Sequence, residues 1–131
     1  MSLNFDRKWY DSLKKSSLTP PAPVFGIVWS ILYTLIAISG IIFFIKNKFN
    51  EPIGLTLFIL QLFFNIIWST VFFTQKNITG ALVIIVILWF LILATIIQFY
   101  QTTPIAAILL VPYFLWVSLA TYFTAYIYVN N

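Results

Sequence analysis

The sequence predicts an all-α integral membrane protein built as a bundle of four transmembrane helices. Of its 131 residues, 62% are hydrophobic and 8% are charged, whereas soluble domains carry about 25% charged residues. No charged residue occurs between Lys15 and Lys46, between Glu51 and Lys76, or after Lys76. Because a helix needs about 20 apolar residues to cross the hydrocarbon core, the first two intervals hold one span each and the last holds two.

Short connecting segments place the helix boundaries. The segments KNKFNEP, TQKNIT and QTTP separate the apolar stretches, and their Asn, Pro and Lys content is typical of turns between antiparallel helices. The last segment ends in Pro104, which suits the first turn of a helix. We therefore predict helices over 23–45, 52–74, 78–100 and 104–129, within a single transmembrane domain of residues 1–131.

An arm of residues 1–22 precedes the first helix and is predicted to be stiff. Three prolines between Lys15 and Val24 bias the backbone toward an extended form. Trp9 and Tyr10 would then anchor the arm at the headgroups, with lysines near the lipid phosphates. Alternatively, the arm returns over the bundle mouth and these two rings form a lid. The spacing of the residues leaves both interpretations open.

Basic residues predict the orientation of the chain. With four spans, the arm, the Lys76 loop and the C-terminus share one side of the membrane, opposite Lys46 and Lys48. The shared side carries the larger number of basic residues. The positive-inside rule therefore places both termini in the cytoplasm.

Small, polar and aromatic residues recur at helical spacing on three of the helices. Apolar residues gain nothing by hiding from lipid, so these positions predict the protein-facing sides. The stripes are Gly26, Trp29, Tyr33, Ala37 and Gly40 on the first helix, Gln61, Asn65, Trp68, Ser69 and Phe72 on the second, and Tyr113, Trp116, Ala120 and Thr124 on the fourth. The third helix is almost entirely aliphatic, which predicts the most lipid-exposed wall or a dimer face.

Gln61 and Asn65 are the strongest polar feature of the spans. They lie one turn apart in mid-membrane, where an amide must find a hydrogen-bond partner. One interpretation is an interhelical hydrogen bond that holds the bundle together. The other is an amide that faces a ligand cavity, and the two residues could divide these roles.

The tryptophans fall into two groups. Trp89 and the tyrosines near the C-terminus fit the aromatic belts of the membrane interfaces. Trp29, Trp68 and Trp116 instead lie on the predicted protein-facing stripes, so three indoles could line one dry space. Flat aromatic walls suit a flat hydrophobic ligand.

The composition excludes several functional classes. Asp6, Asp11 and Glu51 are the only carboxylates, none lies within a span, and the chain has no His or Cys. Conventional acid–base or covalent catalysis is therefore not expected, nor is a metal site. The net charge of +4 sits at the ends of the spans, where it determines topology, so we expect no nucleic-acid partner. Any cofactor would be held by packing.

Three linked motifs carry a family resemblance. They are WYDSLKKSSLTPPAPVFGIVWSILY at 9–33, QLFFNIIWSTVFF at 61–73 and LLVPYFLWVSLATYF at 109–123. Their Trp-Tyr, Pro-Pro, Gln, Asn, Trp and Pro-Tyr positions occur in the same order in the translocator protein or tryptophan-rich sensory protein (TspO) family, which the sequence resembles from about Asp6 to its C-terminus.

The resemblance implies a bacterial cytoplasmic-membrane protein, homodimeric, whose bundle holds porphyrins such as protoporphyrin IX, haem-like tetrapyrroles and other hydrophobic ligands under the first loop. By the same resemblance, the ligand-binding residues are Trp9, Tyr10 and Pro20 of the loop, Trp29 and Tyr33, Asn65 and Trp68, and Trp116 and Ala120. Some family members promote light-dependent breakdown of protoporphyrin. A photoexcited porphyrin exchanges electrons with a nearby indole, which makes Trp29 and Trp116 the photochemical candidates.

The family has five helices, whereas only eight residues precede Trp9, so we expect four helices here. We expect three partners: the lipid bilayer, a hydrophobic small molecule and a second copy of the chain. Two other functions stay open at this stage. One is a small transporter or exporter of tetrapyrroles or lipophilic metabolites, and the other is a structural subunit whose polar stripes face another membrane protein.

Overall fold

The computed structural model describes residues 22–74 and 77–130, and these residues are helical with short connections. Four of its helical segments are long and apolar enough to cross a membrane, so the predicted all-α membrane fold is confirmed. The elements are α1 (Ala22–Asn47), α2 (Pro52–Ser69) with a π-helical turn at Thr70–Thr74, α3 (Ile78–Thr102), α4 (Pro104–Leu109) and α5 (Val111–Asn130).

The helix ends follow from local sequence signals. The Glu51 carboxylate accepts a hydrogen bond from the Gly54 N–H at 3.4 Å, and Asn77 Oδ1 accepts one from the Gly80 N–H at 3.0 Å. Each satisfies a donor that the first helical turn leaves without a partner. The turn before α2 passes through Lys48, which adopts a left-handed conformation with φ of 52°.

The predicted fourth helix over 104–129 is interrupted in the structure. It divides at Leu110 into α4 and α5. Pro112 explains the break, because its ring nitrogen has no hydrogen to donate to the carbonyl of Ile108 and its ring crowds the preceding turn. The two helices together still form one apolar segment from Pro104 to Asn130.

The aliphatic third helix lies at the centre of the packing. α3 contacts α2, α4 and α5, and 28% of its most apolar window is buried, the same share as in α1 and α2. It is therefore no more exposed to lipid than α1 or α2, and the alternative of a dimer face stays a prediction. Close apolar packing joins membrane helices as polar contacts do, and α3 buries a stripe at helical spacing: Ala81, Ile85, Leu88, Ile92, Thr95 and Phe99.

The first helix packs on α4 and α5 with a face that differs from the predicted stripe. Its buried residues are Trp29, Leu32, Ile36, Ser39 and Phe43. The Ser39 hydroxyl donates a hydrogen bond to the Ala106 carbonyl at 2.7 Å, which fixes this face against α4. Of the predicted stripe, Gly26 and Ala37 are exposed, because neither carries a group that requires a protein partner.

Trp89 does not belong to an interfacial belt. It lies in the middle of α3, and its indole N–H donates a hydrogen bond to the Ser118 hydroxyl of α5 at 2.8 Å. A polar group at this depth is satisfied by a neighbouring helix rather than by water. The exposed tyrosines 122, 126 and 128 near the C-terminus fit the belt that the sequence predicts.

Candidate functional site: an aromatic cluster above a polar chain

Three helices bring aromatic rings together around Trp29. Its ring centroid lies 6.3 Å from Trp68 of α2 and 6.3 Å from Trp116 of α5. Tyr33 and Tyr113 add rings at 5.6 Å and 6.4 Å. The three indoles that the sequence places on protein-facing stripes thus converge, within the range of 4.5 to 7 Å that is typical of contacting aromatic pairs. We call these five residues the aromatic cluster.

The rings of the aromatic cluster contact one another rather than stand apart. Two rings that sandwich a planar ligand lie roughly 7 to 8 Å apart, which is twice the optimal carbon–carbon separation. The distances from Trp29 to Trp68 and Trp116 are shorter than this. The cluster is therefore a packed wall, and a flat ligand would lie against it instead of between its indoles.

The indole N–H of Trp29 is an unusual feature of this wall. Trp29 is 2% exposed, and within residues 22–74 and 77–130 no acceptor lies within hydrogen-bonding distance of its Nε1. A buried donor without a partner costs about 1 to 3 kcal/mol. Such a donor is suited to a ligand oxygen that completes the hydrogen bond.

A chain of hydrogen bonds runs beside the aromatic cluster through three helices. The Tyr33 hydroxyl donates to Asn65 Oδ1 at 2.5 Å, and Asn65 Nδ2 donates to the Tyr113 hydroxyl at 2.8 Å. The Tyr113 hydroxyl in turn donates to Gln61 Oε1 at 2.8 Å. We call these four residues the polar chain. It links α1, α2 and α5 at a depth where no water is available to satisfy the groups.

The polar chain bears on the two interpretations of the mid-membrane amides. Asn65 is fully buried, and both its amide oxygen and its amide nitrogen are hydrogen-bonded to tyrosines of other helices. The interpretation as an interhelical bond is therefore supported, and a role of Asn65 in orienting a ligand stays a prediction. Gln61 is also buried, and its Nε2 has no acceptor in the described part of the chain. Tyr113 joins the cluster to the polar chain, although the sequence motifs placed it on a stripe without assigning it to the site.

The remaining predicted site residues divide into two groups. Ala120 is buried on α5, one turn from Trp116, where its small side chain permits close helix packing. Trp9, Tyr10 and Pro20 lie outside the described residues. The prediction that they close the pocket therefore stays a prediction.

Below the cluster, a groove of about 490 Å³ separates α1 from α2. It begins at Tyr33, whose hydroxyl belongs to the polar chain, and extends toward the loop that joins the two helices. Its lining residues are Tyr33, Ile36, Ala37, Gly40, Ile41, Phe44, Ile45, Phe58 and Leu62. Sequence periodicity placed Ala37 and Gly40 against protein. Gly40 does lie against the Phe58 ring of α2, whereas Ala37 is exposed on the surface of the groove.

Comparison with known proteins agrees with the motifs. A model of the TspO/MBR family matches residues 2–129. The chain is 38% identical over 126 residues to the tryptophan-rich protein TspO of Bacillus cereus, covering 96% of this chain and 82% of the relative. It is 35% identical over 114 residues to protein CrtK of Rhodobacter capsulatus, covering 86% and 71%. It is also 33% identical over 119 residues to the human translocator protein, covering 87% and 69%.

The match extends over nearly the whole chain, and the residues that carry the sequence motifs form the aromatic cluster and the polar chain of the structure. This integral membrane protein belongs to the TspO/MBR family.

Proposed function

We propose that the protein binds porphyrins, protoporphyrin IX or a haem-like tetrapyrrole, against the aromatic cluster. The observation that carries this proposal is the convergence of indoles from three helices on Trp29, beside a buried indole N–H without an acceptor among the described residues. A porphyrin offers a flat apolar face for the rings and propionate oxygens for the N–H. The flat face of the porphyrin is thus complementary to the aromatic rings, and its propionate oxygens are complementary to the indole donor.

The proposed site lies toward one end of the bundle. Trp29 is seven residues from the start of α1 at Ala22, or about 10 Å along the helix axis. Trp68 lies at a similar distance from the end of the π-helical turn at Thr74. In this proposal the arm of residues 1–22 covers the ligand from that side, and the basic residues of the arm meet the propionates.

The cellular setting is part of the same proposal. We place the protein in a bacterial cytoplasmic membrane with both termini inside, on the basis of the positive-inside rule, and as a homodimer on the basis of the family resemblance. Limited proteolysis of inside-out vesicles tests the orientation. Cross-linking in native membranes tests the oligomeric state.

A fluorescence titration tests the binding proposal. Protoporphyrin IX is added to the purified protein in detergent, and tryptophan quenching gives the dissociation constant. Trp116→Ala is expected to weaken binding roughly tenfold, on the order of 1.4 kcal/mol. Trp29→Ala is expected to weaken it more than Trp116→Ala, because it removes both an aromatic ring and the buried N–H. Trp89→Phe serves as the matched control, since Trp89 contacts Phe90, Phe114 and Ser118 and lies apart from the cluster. Unchanged affinity in both cluster variants would overturn the proposal.

We further propose that the bound porphyrin is degraded in light. The photoexcited porphyrin takes an electron from Trp29 or Trp116, which leaves an indole radical cation and a porphyrin radical anion. The radical anion passes its electron to dioxygen, which becomes superoxide, and the indole radical cation then takes an electron from the macrocycle. The oxidised macrocycle and superoxide combine, so both oxygen atoms add across one carbon–carbon bond of the ring, and that bond breaks. The test is the loss of porphyrin absorbance on illumination, measured with equal amounts of bound ligand. The single substitutions Trp29→Phe and Trp116→Phe are each expected to slow this loss, whereas Trp89→Phe is expected to leave its rate unchanged.

A second candidate function is transport of a lipophilic molecule, which the name of the human relative favours. Porphyrin uptake by sealed vesicles that contain the protein distinguishes the two functions. A transporter moves porphyrin into or out of vesicles at a rate proportional to the protein present. A binding protein saturates at a fixed amount of ligand per chain.

A further inference from the structure

Two of the rings that contact Trp29 are tyrosines. The ring centroid of Tyr33 lies 5.6 Å from that of Trp29 at an interplanar angle of 31°, and the Tyr113 centroid lies 6.4 Å away at 67°. Tyr33 approaches from one turn away on α1, whereas Tyr113 approaches from α5. Because the Trp29 side chain is 2% exposed, the rings packed against it determine the orientation of its indole.

A single amide is hydrogen-bonded to both tyrosines. Asn65 Oδ1 accepts from the Tyr33 hydroxyl, and Asn65 Nδ2 donates to the Tyr113 hydroxyl. A hydroxyl has one hydrogen to donate, and Tyr113 donates its hydrogen to Gln61 Oε1. Tyr113 can therefore only accept from Asn65, which turns the amide oxygen of Asn65 toward Tyr33. The direction of the polar chain thus selects one orientation of this amide.

The direction of the Trp29 N–H matters for the proposed site. Its Nε1 is the buried donor without an acceptor in residues 22–74 and 77–130 that we assign to a propionate oxygen. A hydrogen bond weakens steeply when its angle at the hydrogen falls below about 120°. A rotation of the indole would therefore lower the affinity for that oxygen even if the ring stayed in the aromatic cluster.

We infer that Asn65 is a positioning residue of the proposed porphyrin site. By holding the hydroxyl ends of Tyr33 and Tyr113, it fixes both rings against Trp29 and so directs the indole N–H toward the propionate. The inference rests on the proposed function and gives Asn65 an indirect part in it. Asn65 is 0% exposed and bonded on both sides of its amide, so it acts on the ligand through Trp29 and not by contact.

The orientation of Trp29 is tested first without ligand. The protein is labelled with fluorotryptophan, and the fluorine NMR signal of Trp29 is identified by its absence in Trp29→Phe. We expect this signal to shift and broaden in Asn65→Ala. It should also do so in a chain that combines Tyr33→Phe with Tyr113→Phe, which keeps both rings and loses both bonds to Asn65. Trp89→Phe is the matched control, because it removes an interhelical hydrogen bond elsewhere, and it should leave the Trp29 signal unchanged.

A double-mutant cycle then tests the effect on binding. The parent, Asn65→Ala, Trp29→Phe and the chain with both substitutions are titrated with protoporphyrin IX below their unfolding midpoints. We expect Asn65→Ala to weaken binding about fivefold, as for a hydrogen bond that is weakened and not lost. It should cause no further loss in the chain that already carries Trp29→Phe, because no N–H is left to direct. The tyrosine double variant should behave as Asn65→Ala does.

Three results would overturn the inference. They are a Trp29 signal that is unchanged in both polar-chain variants, parent affinity in Asn65→Ala, and losses from Asn65→Ala and Trp29→Phe that multiply in the combined chain, since independent sites are additive in free energy. Failure of the proposed function gives a different result. A parent that binds no protoporphyrin IX overturns that function, whereas the ligand-free NMR signal still decides whether Asn65 holds Trp29 in place.

Discussion

Asn65 donates a hydrogen bond to the Tyr113 hydroxyl at 2.8 Å, and neither side chain is exposed. This bond joins α2 to α5 in the interior of the bundle. Its partners are bonded in turn to Tyr33 and Gln61, so the donors and acceptors follow one direction through the polar chain. Removal of Asn65 would take one acceptor from the Tyr33 hydroxyl and one donor from the Tyr113 hydroxyl, which still donates to Gln61.

We expect Asn65→Ala to destabilise the bundle by about 1 to 3 kcal/mol, because it removes two buried hydrogen bonds, each of which contributes about 0.5 to 1.5 kcal/mol. Unfolding in mixed detergent micelles measures the change. A double-mutant cycle with Tyr113→Phe should give a coupling energy of about 0.6 kcal/mol and no more than about 1.7 kcal/mol, the range for interhelical hydrogen bonds in membranes. Asn130→Ala, at the exposed end of α5, is the control, with an expected effect below about 0.5 kcal/mol. A coupling energy of zero would contradict the bond.

Gly54 is expected to reject a larger side chain. A Cβ atom at this position would lie 2.6 Å from Glu51 Oε2 and 2.8 Å from Phe43 Cζ. Phe43 is held in place, because it is buried and stacks on Phe99 at 3.9 Å. Overpacking of this kind costs about 1 to 3 kcal/mol, and we predict a loss of this size for Gly54→Ala in the unfolding assay.

The matched control for that substitution is Gly26→Ala. Gly26 is exposed on α1, and a Cβ there would meet nothing within 4 Å. The substitution should therefore be neutral or stabilise the helix by up to about 1 kcal/mol, the difference in helix propensity. Equal effects at both glycines would show that helix propensity, and not packing, determines the result.

The stripe on α2 could be predicted from the sequence because each of its members needs the protein. Gln61 and Asn65 require hydrogen-bond partners, and Trp68 and Phe72 stack on each other at 5.4 Å. The stripe on α1 could not, since small residues such as Ala37 are equally stable against lipid and against protein. Helical periodicity also predicts which face of its helix a residue occupies, but it does not predict how far apart the facing sides of two helices lie. Convergence of the indoles was therefore predictable, whereas their mutual packing was not.

The position of α3 had no signal in the sequence. Ile85, Leu88 and Ile92 are buried, yet lipid tails are as apolar as these side chains, so their pattern does not distinguish protein from lipid. Trp89 was misassigned for a related reason. An indole is suited both to an interface and to an interhelical hydrogen bond, and only the position of Ser118 on α5 decides between them.

Trp89→Phe is expected to separate bundle stability from ligand binding. The variant loses the hydrogen bond to Ser118, so we predict destabilisation of about 0.6 kcal/mol and at most about 1.7 kcal/mol. Ser118→Ala should have a similar effect, and the two together should be less than additive. Protoporphyrin affinity should equal that of the parent in each variant. A loss of affinity as large as that of Trp116→Ala would place Trp89 in the site and remove it as a control.

Trp29→Phe is expected to separate ring packing from hydrogen bonding in the proposed site. The variant keeps an aromatic ring in the cluster but removes the buried N–H that lacks an acceptor among the described residues. A hydrogen bond to a charged group contributes about 1.5 to 3 kcal/mol, so the affinity for protoporphyrin IX should fall at least about tenfold.

Etioporphyrin provides the comparison, because it has the same flat macrocycle but alkyl groups in place of the propionates. If Trp29 donates its N–H to a propionate, the parent and Trp29→Phe should bind etioporphyrin with equal affinity in the quenching titration. Because the N–H has no other acceptor in the described part of the chain, its removal costs nothing when the ligand offers no oxygen. An equal loss for both porphyrins would mean that Trp29 acts through ring packing alone, and the propionate would then have to be held elsewhere.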